Sequence, residues 1–429
     1  MKLFVTENEI NERIRLNFLH LKNDPYYSID EVFSPDTYSW YGDKEGRALL
    51  AFVSHYSISG EKIPCMAQMM KEMPERLNSE GYFGPLYNGT VHEEQLSGHS
   101  WLLRGLCGHY KAFGDDFSYK TLCRITENLY LPLKGKIHTY PINRDKTLTG
   151  GVSGEMTEKI DRWHLSSDIG CAFMSIDGLS DAYEITRDSR IKELLDEMIG
   201  FYLSIDKIAL KAQTHCTLTS ARGMLRLYKN TLDGRYLKGA EEILGLYASK
   251  GGMTKTYQNL NWWGREDSWT EPCAIIDSLM VASELYKITQ KEEYRVLAAR
   301  IYHNGLATAG RDNGGAGTDT LICEGSPHKT LRPLMYEAPF CCTMRMAEGL
   351  RYINENRELL TAEMTGIITK GKDNIYRDGD IIYCLPCKTL IPFAENGKKA
   401  DGMILYPIVK AYKVPREIFV KSEQKILFD

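Results

Sequence analysis

One local pattern recurs along the chain and constrains its fold more than any other feature. In each copy, apolar residues at helical spacing lead to a tyrosine, a short polar turn follows, and a second amphipathic stretch begins. The copies turn at Tyr110, Tyr183, Tyr228 and Tyr286. Polar turns of this kind join antiparallel helices, so the pattern predicts repeated helical hairpins. The copies are unevenly spaced, which argues against a regular solenoid.

Repeated hairpins with long, variable connections favour a mainly α fold, an α/α toroid whose inter-helix loops build a cleft at one end. A single helical bundle is the alternative, but it does not need such long loops. From about residue 356, short β-branched or aromatic runs alternate with turn residues, which is typical of strands. We therefore predict an α/α-barrel domain over residues 1–355, which would contain the cleft, and a small β-sandwich-like domain over residues 356–429. Residues 1–6 could add a strand to the β domain.

Composition indicates an ordinary globular protein. The chain has 429 residues, 43% of them hydrophobic and 26% charged, with a net charge of −4. No basic stripe or block of Lys and Arg stands out, which argues against a nucleic-acid partner. The sequence shows no signal peptide and no apolar stretch long enough to span a membrane. The 11 cysteines lack the spacing of a disulfide framework, so we expect free thiols in a reducing cytoplasm. The oligomeric state is not specified, and a homodimer is left open.

Two short motifs carry the chemistry of the chain. Cys341 and Cys342 are adjacent, and Glu271 and Cys273 form a Glu-x-Cys upstream. Neighbouring cysteines cannot easily bridge each other, because a disulfide needs a larger separation of the two backbones. Three thiols and a carboxylate are a complete ligand set for zinc. Pro272 and the following apolar run indicate a helix start, where the dipole favours a thiolate. Buried apolar cysteines that merely cluster in sequence are the alternative.

The order of these motifs resembles the β-L-arabinofuranosidase family, glycoside hydrolase family 127 and its relatives. Members of this family carry a Glu-x-Cys and a later Cys-Cys that bind zinc in an α/α barrel. The stretch from Tyr302 to Gly305 resembles the family's Tyr-Asn-Gly segment, and the stretch from Gln213 to His215 resembles its substrate-binding His segment. The similarity covers roughly residues 95–355, with a β region behind it as in the family.

The resemblance implies a zinc-dependent retaining glycoside hydrolase that acts on a β-L-arabinofuranoside or a related unusual sugar in an oligosaccharide or glycoside. It assigns Cys341 as the nucleophile, while Glu271, Cys273 and Cys342 complete the Zn²⁺ shell. A retaining enzyme needs a nucleophile on one face of the anomeric carbon and an acid/base on the other. A zinc-bound thiolate can replace the usual nucleophilic carboxylate, because coordination deprotonates the thiol.

The chain departs from the family at the acid/base. The family's Glu, which follows a Gly-Gly turn, has no counterpart after Gly251 and Gly252. Glu266 is our candidate, with a solvated loop carboxylate as the alternative. The paired tryptophans between Asn261 and Gly264 are expected to be exposed, where they could stack on the apolar face of a sugar. The candidate substrate-binding residues are His215, Trp262, Trp263 and His303.

Two other function classes stay open. In a non-catalytic zinc protein, the four ligands would close a structural site and the cleft would merely bind glycan. An α/α-barrel sugar epimerase or lyase would not require the thiol cluster. An acid across the cleft from Cys341 would distinguish the hydrolase from the structural site. A screen for activity on aryl glycofuranosides would test the hydrolase directly.

Overall fold

The computed structural model describes residues 2–3, 5–34, 40–144, 156–254, 257–265, 268–318 and 336–363, and then the strands at 366–370, 375–378, 381–384, 399–400 and 403–408. The described chain is mostly helical, which confirms the mainly α prediction. The α-helices are α1 (Glu7–Asn23), α2 (Ile29–Val32), α3 (Asp43–Ser59), α4 (Pro64–Arg76), α5 (Glu93–Phe113), α6 (Asp116–Ile125), α7 (Ser175–Thr186), α8 (Ser189–Ser204), α9 (Thr214–Thr231), α10 (Gly234–Ser249), α11 (Pro272–Thr289), α12 (Glu292–Arg300) and α13 (Cys342–Glu355). None of these helices is both long enough and apolar enough to cross a bilayer.

The strands are short and form three sheets within the described residues. They are β1 (Lys2–Leu3), β2 (Val91–His92), β3 (Met156–Ile160), β4 (Trp163–Ser166), β5 (Ala362–Glu363), β6 (Gly366–Lys370), β7 (Ile375–Asp378), β8 (Ile381–Cys384), β9 (Lys399–Ala400) and β10 (Met403–Ile408). The sheet orders are β1-β5, β2-β4-β3 and β8-β7-β6-β10-β9. The last is antiparallel throughout, and it occupies part of the predicted β region. A sandwich-like packing of this region stays a prediction.

The chain divides into two compact units. Unit 1 comprises Met1–His20, Leu246–Asn261 and Arg265–Asp429, and unit 2 comprises Leu21–Gly245 and Trp262–Gly264. The division predicted at residue 355 is a different boundary, and it stays a prediction. In unit 1, β1 pairs with β5 in a two-stranded sheet of its own. A place for residues 1–6 in the β domain stays a prediction.

The four predicted helical hairpins are present, and each turns in the same way. The first helix ends three residues after the tyrosine, and the next residue adopts a left-handed conformation whose N–H donates to the tyrosine carbonyl at 2.7–2.9 Å. These residues are Gly114, Arg187, Leu232 and Gln290, with φ of +64°, +55°, +59° and +58°. In unit 2, the second helix of each of these hairpins is then capped by an aspartate, as where Asp188 accepts from the Arg190 N–H at 2.9 Å. Asp115 and Asp233 make the equivalent contacts.

In unit 2, alternate helices pack against one another in chain order, α3 on α5, α5 on α7 and α7 on α9. Glycines let the backbones touch, because a Cβ on Gly178 or Gly223 would lie 2.5–2.6 Å from a carbonyl oxygen of the neighbouring helix. Asp177 on α7 accepts from Arg104 of α5 at 2.5 Å and from Arg226 of α9 at 2.6 Å. A largely buried ionic network therefore links α5, α7 and α9.

In unit 1, α11 packs against α12 and α13, and a π-helix at Ile301–Leu306 follows α12. Residues 7–20 of the first helix also belong to this unit, and buried polar side chains attach them to it. Glu9 accepts from the Tyr302 hydroxyl at 2.7 Å, and Asn17 donates to the carbonyl of Gly314 at 2.8 Å and to that of Thr343 at 3.2 Å. These contacts explain why a segment so distant in sequence is built into the unit that contains α11 and α13.

Candidate metal centre

The four predicted ligands converge in unit 1. One donor atom from each of Glu271, Cys273, Cys341 and Cys342 lies within 4.8 Å of the other three, and all four residues are buried. The sulfur of Cys342 lies 3.7 Å from that of Cys273 and 3.3 Å from that of Cys341. Cys273 and Cys342 are 69 positions apart, so only the packing of α11 against α13 brings their sulfurs together.

The spacing of these donors fits a tetrahedral metal shell. With a metal–sulfur distance of about 2.3 Å, two sulfurs of a tetrahedron lie about 3.8 Å apart. The two observed sulfur–sulfur distances, 3.7 and 3.3 Å, need only small adjustments to match that separation. All four donor atoms lie within 4.8 Å of one another, so movements of the side chains alone could bring them around a metal ion.

The start of α11 positions one half of the set. Glu271 is the residue before the helix, Pro272 is its first residue, and Cys273 is its second. The buried side chain of Asn259 accepts from the Glu271 N–H at 2.7 Å, and its backbone carbonyl accepts from the Thr270 hydroxyl at 3.1 Å. The proline ring fixes the first helical φ, which defines the backbone conformation between Glu271 and Cys273.

The start of α13 positions the other half. Cys341 is the residue before the helix and Cys342 is its first residue. The carbonyl of Ala338 accepts from the N–H groups of Cys341 at 3.4 Å and Thr343 at 3.2 Å, which turns the chain into the helix. Because both motifs lie at helix N-termini, both dipoles favour negatively charged sulfur and oxygen at the cluster.

From the cluster onward, helices α11 and α13 pack side by side and run in the same direction. One turn beyond the cysteines, Arg345 of α13 forms a fully buried ion pair with Asp277 of α11 and a second one with Glu348. Further along, the Tyr352 hydroxyl donates to Glu284 at 2.7 Å. The sequence analysis missed these residues, although a signal existed. Asp277 and Arg345 follow Cys273 and Cys341 by four positions, the spacing that places two residues on one helical face.

The metal-free cluster favours protonated thiols. Hydrogen bonding with Cys273 and Cys342, together with burial, raises the pKa of Cys341 well above that of an ordinary thiol. Burial and the neighbouring thiol of Cys273 likewise raise the pKa of Cys342. Three adjacent buried thiolates therefore need a compensating cation, which a bound metal would supply.

The two tryptophans are not exposed as predicted. Trp262 and Trp263 each have 0% exposure. In unit 2, the Trp262 indole donates to the Ser167 carbonyl at 3.2 Å, and the Trp263 N–H donates to the Ala212 carbonyl at 3.3 Å. A stacking platform needs an accessible ring face, so the expectation of exposure was wrong. The loop composition indicated a surface position, but both rings are fully buried.

The remaining predicted residues lie in different settings. Glu266 lies outside the described residues. His215 is buried at the start of α9 in unit 2, where its ring centroid lies 6.0 Å from that of Trp101. His303 is buried in the π-helix of unit 1, and its Nε2 lies 2.9 Å from the carbonyl oxygen of Leu360. Substrate-binding roles for the two histidines stay predictions.

Comparison with solved structures identifies the fold of the chain. No protein-family model matches the sequence, and no curated protein matches it. A GH127 β-arabinofuranosidase superposes with a TM-score of 0.53 at 16% identity, covering 81% of this chain and 60% of that one. An unsaturated glucuronyl hydrolase specific for heparin gives 0.54 at 12% identity and 83% and 100% coverage. The cellobiose 2-epimerase of Bacillus thermoamylovorans gives 0.54 at 13% identity and 81% and 98% coverage.

These neighbours are glycoside hydrolases and a sugar epimerase with α/α-toroid folds. The chain spans about 60% of the length of the GH127 enzyme, whereas it matches the other two over nearly their whole lengths. Likenesses at 12–16% identity show a common fold, here the α/α toroid that the repeated hairpins predict.

Proposed function

We propose that this chain is a zinc-dependent retaining glycoside hydrolase, related distantly to the β-L-arabinofuranosidases, in which Cys341 is the nucleophile. The observation that carries the proposal is the convergence of Glu271, Cys273, Cys341 and Cys342 at the N-termini of two parallel helices. The shared toroid fold with glycoside hydrolases supports a carbohydrate substrate. By the family resemblance, that substrate is a β-L-arabinofuranoside or a related unusual sugar.

The donor chemistry favours zinc among the metals of proteins. Three sulfurs and one carboxylate oxygen suit a tetrahedral, borderline-soft ion, whereas calcium and magnesium prefer shells of oxygen alone. When bound, zinc would keep the coordinating thiols deprotonated at neutral pH and so supply an electron-rich sulfur. The four residues would leave the site formally anionic, and the positive ends of two helix dipoles offset part of that charge.

Differences in accessibility support Cys341 as the nucleophile. Cys273 and Cys342 have 0% exposure, whereas Cys341 has 7%. Cys341, the residue before α13, is thus the one of the three that retains any accessible surface.

In the proposed reaction, the Cys341 sulfur bonds to the anomeric carbon while the bond from that carbon to the leaving oxygen breaks. A general acid gives its proton to the leaving oxygen in the same step. Water then attacks the anomeric carbon from the other face and loses a proton to the same group, now a base, and the carbon–sulfur bond breaks. Two displacements at one carbon retain its configuration. Glu266 remains the candidate for the acid/base.

A non-catalytic metal site is the second candidate, because all four donors are buried and a closed set of four protein ligands is typical of structural zinc. In that case the ion would hold α11 and α13 together, and the protein would bind glycan without cleaving it. The test of the first proposal also distinguishes this one.

The decisive experiment combines zinc content with activity. Protein purified without chelator should contain about one zinc per chain and should hydrolyse an aryl glycofuranoside. Cys341→Ala should abolish turnover, and a haloacetamide sugar analogue should label Cys341 alone in the unaltered protein. Cys65→Ala is the matched control, since Cys65 is a half-buried thiol of unit 2 and its loss should leave turnover unchanged.

The outcomes separate the candidates. Zinc without turnover on any aryl glycofuranoside would favour the structural site. Full activity of Cys341→Ala, or labelling at Cys342, would refute the assigned nucleophile. Metal content must be measured in the same variant, because loss of zinc would by itself remove activity.

A further inference from the structure

A carboxylate outside the ligand set makes three hydrogen bonds just before the cysteine pair. Glu337 lies four residues ahead of Cys341 and is largely buried, with 15% of its side chain exposed. Its Oε1 lies 2.6 Å from Nε2 of His20 and accepts from the Thr343 hydroxyl at 2.8 Å. Its Oε2 accepts from the Asn313 amide at 2.8 Å. The side chain thus joins α1, the loop around residue 313 and the start of α13.

Thr343 connects this carboxylate to the cysteine pair. It directly follows Cys342 and is fully buried. Its hydroxyl donates to Glu337 and accepts from the Ala316 N–H at 3.1 Å. Its backbone carbonyl accepts from the Asn17 amide at 3.2 Å. Side-chain and backbone contacts therefore fix the first turn of α13 immediately after the residues that carry two sulfurs of the cluster.

The loop beside Glu337 is shaped around the carboxylate. A Cβ on Gly315 would lie 2.6 Å from Cδ of Glu337 and 2.9 Å from its Oε1, so no other residue fits there without moving the carboxylate. The Asn313 side chain is itself held in place, because its Oδ1 accepts from the Gly315 N–H at 2.9 Å. Loop and carboxylate thus form one packed arrangement.

Glu337 is a carboxylate rather than an acid. Burial by itself would raise the pKa of Glu337, but the hydrogen bonds from His20, Asn313 and Thr343 outweigh it and lower that pKa. Both of its oxygens accept hydrogen bonds, and it holds no proton for a leaving group. Its contribution is therefore positional.

We propose that Glu337 is a positioning residue that, through Thr343 and with His20 behind it, sets the direction in which the Cys341 and Cys342 sulfurs face the bound metal. The inference rests on the metal site of the proposed function. Altering a residue that orients a metal ligand typically weakens metal binding by about 10–100-fold. Glu337 would act in that way on the α13 half of the cluster.

Cobalt binding to Glu337→Gln tests the proposal. Glutamine keeps the shape of the side chain but places an amide N–H₂ where an oxygen now accepts, so one of the three contacts becomes donor against donor. We expect the variant to bind Co²⁺ about 10–100-fold more weakly than the unaltered protein. We also expect the visible bands and the thiolate-to-cobalt absorption to shift, since both report the arrangement of sulfurs around the ion.

Two further variants keep the test decisive. Thr343→Val removes the hydroxyl that links Glu337 to α13 while preserving shape, and it should show the same spectral shift even if Glu337→Gln fails to fold. Glu61→Gln is the matched control, because it removes only an exposed ion pair with Lys22, 2.9 Å long, near the last residue of α1. It should bind cobalt like the unaltered protein.

The possible failures are distinguishable. Equal cobalt affinity and identical spectra for Glu337→Gln, Thr343→Val and the unaltered protein would overturn this inference and leave the proposed function intact. An unaltered protein that binds no cobalt would overturn the metal site, and the positioning role would fall with it.

Discussion

Replacing Arg345 by methionine should destabilise the protein far more than an ordinary arginine substitution. Arg345 has no exposed side-chain surface, and it pairs with Asp277, which is also fully buried, and with Glu348, which is 2% exposed. Methionine retains the apolar stem but takes the guanidinium charge away from two buried carboxylates. Removing one partner of a buried ion pair typically costs about 3–5 kcal/mol. That loss is a large share of a total stability of about 5–15 kcal/mol.

The assay is urea denaturation followed by circular dichroism at neutral pH, with the free energy of unfolding extrapolated to water. Arg351→Met on the same helix is the matched control. Its ion pair with Glu355 is 3.8 Å long and partly exposed, with 26% of the Arg351 and 57% of the Glu355 side chain accessible, so its loss should cost no more than about 0.5 kcal/mol. Adding Asp277→Asn and Glu348→Gln to Arg345→Met should recover part of the loss, because the uncompensated charges are then removed. Similar costs for Arg345→Met and Arg351→Met would refute the reasoning.

Two further predictions concern the acid/base and the hairpin turns. Glu266→Gln should slow hydrolysis of substrates with poor leaving groups by about 10²–10⁴-fold and spare activated aryl glycosides, whose leaving group needs no proton. Asp267→Asn is its control, and an equal loss on both substrate classes would indicate a binding role for Glu266. Leu232→Gly should raise the free energy of unfolding by about 0.5–1 kcal/mol, because Leu232 is 75% exposed at φ +59° and glycine adopts that conformation without steric cost. Leu19→Gly, at an exposed position inside a helix, should instead lower stability by about 1 kcal/mol, and the same sign for both substitutions in urea denaturation would contradict the argument.

The helical hairpins could be predicted from sequence because their determinants are local. Each helix end depends on a tyrosine carbonyl and a residue four positions later, and three of the following helices depend on an aspartate at the cap. Interactions of this range are set by neighbours in the chain and do not depend on distant segments. The small strands from residue 366 onward were recognisable for a similar reason, since β-branched runs between turn residues favour extended backbone.

The exposure of individual side chains could not be predicted in the same way. Trp262 and Trp263 lie in a segment whose polar and glycine-rich neighbours indicated the surface, yet both rings are fully buried. Burial depends on which other segments cover a loop, and no local pattern in this chain encodes that. The indole of Trp262 donates to Ser167, 95 positions away, and the backbone of Trp263 to Ala212, so this segment packs against distant parts of unit 2.

For the metal centre, too, the local features could be predicted from sequence and the long-range packing could not. The chemistry of the donors, their placement at two helix starts and the resulting preference for a cation follow from Glu271, Cys273, Cys341 and Cys342 as sequence motifs. Their convergence does not, because a helix start constrains only the turn beside it. The sulfurs of Cys273 and Cys342 come within 3.7 Å because α11 and α13 pack in parallel, with Arg345 of α13 paired to Asp277 of α11. The contact between His20 and Glu337, 317 positions apart, was likewise decided by tertiary packing alone, since only the folded core brings the first helix against the loop that precedes the cysteines.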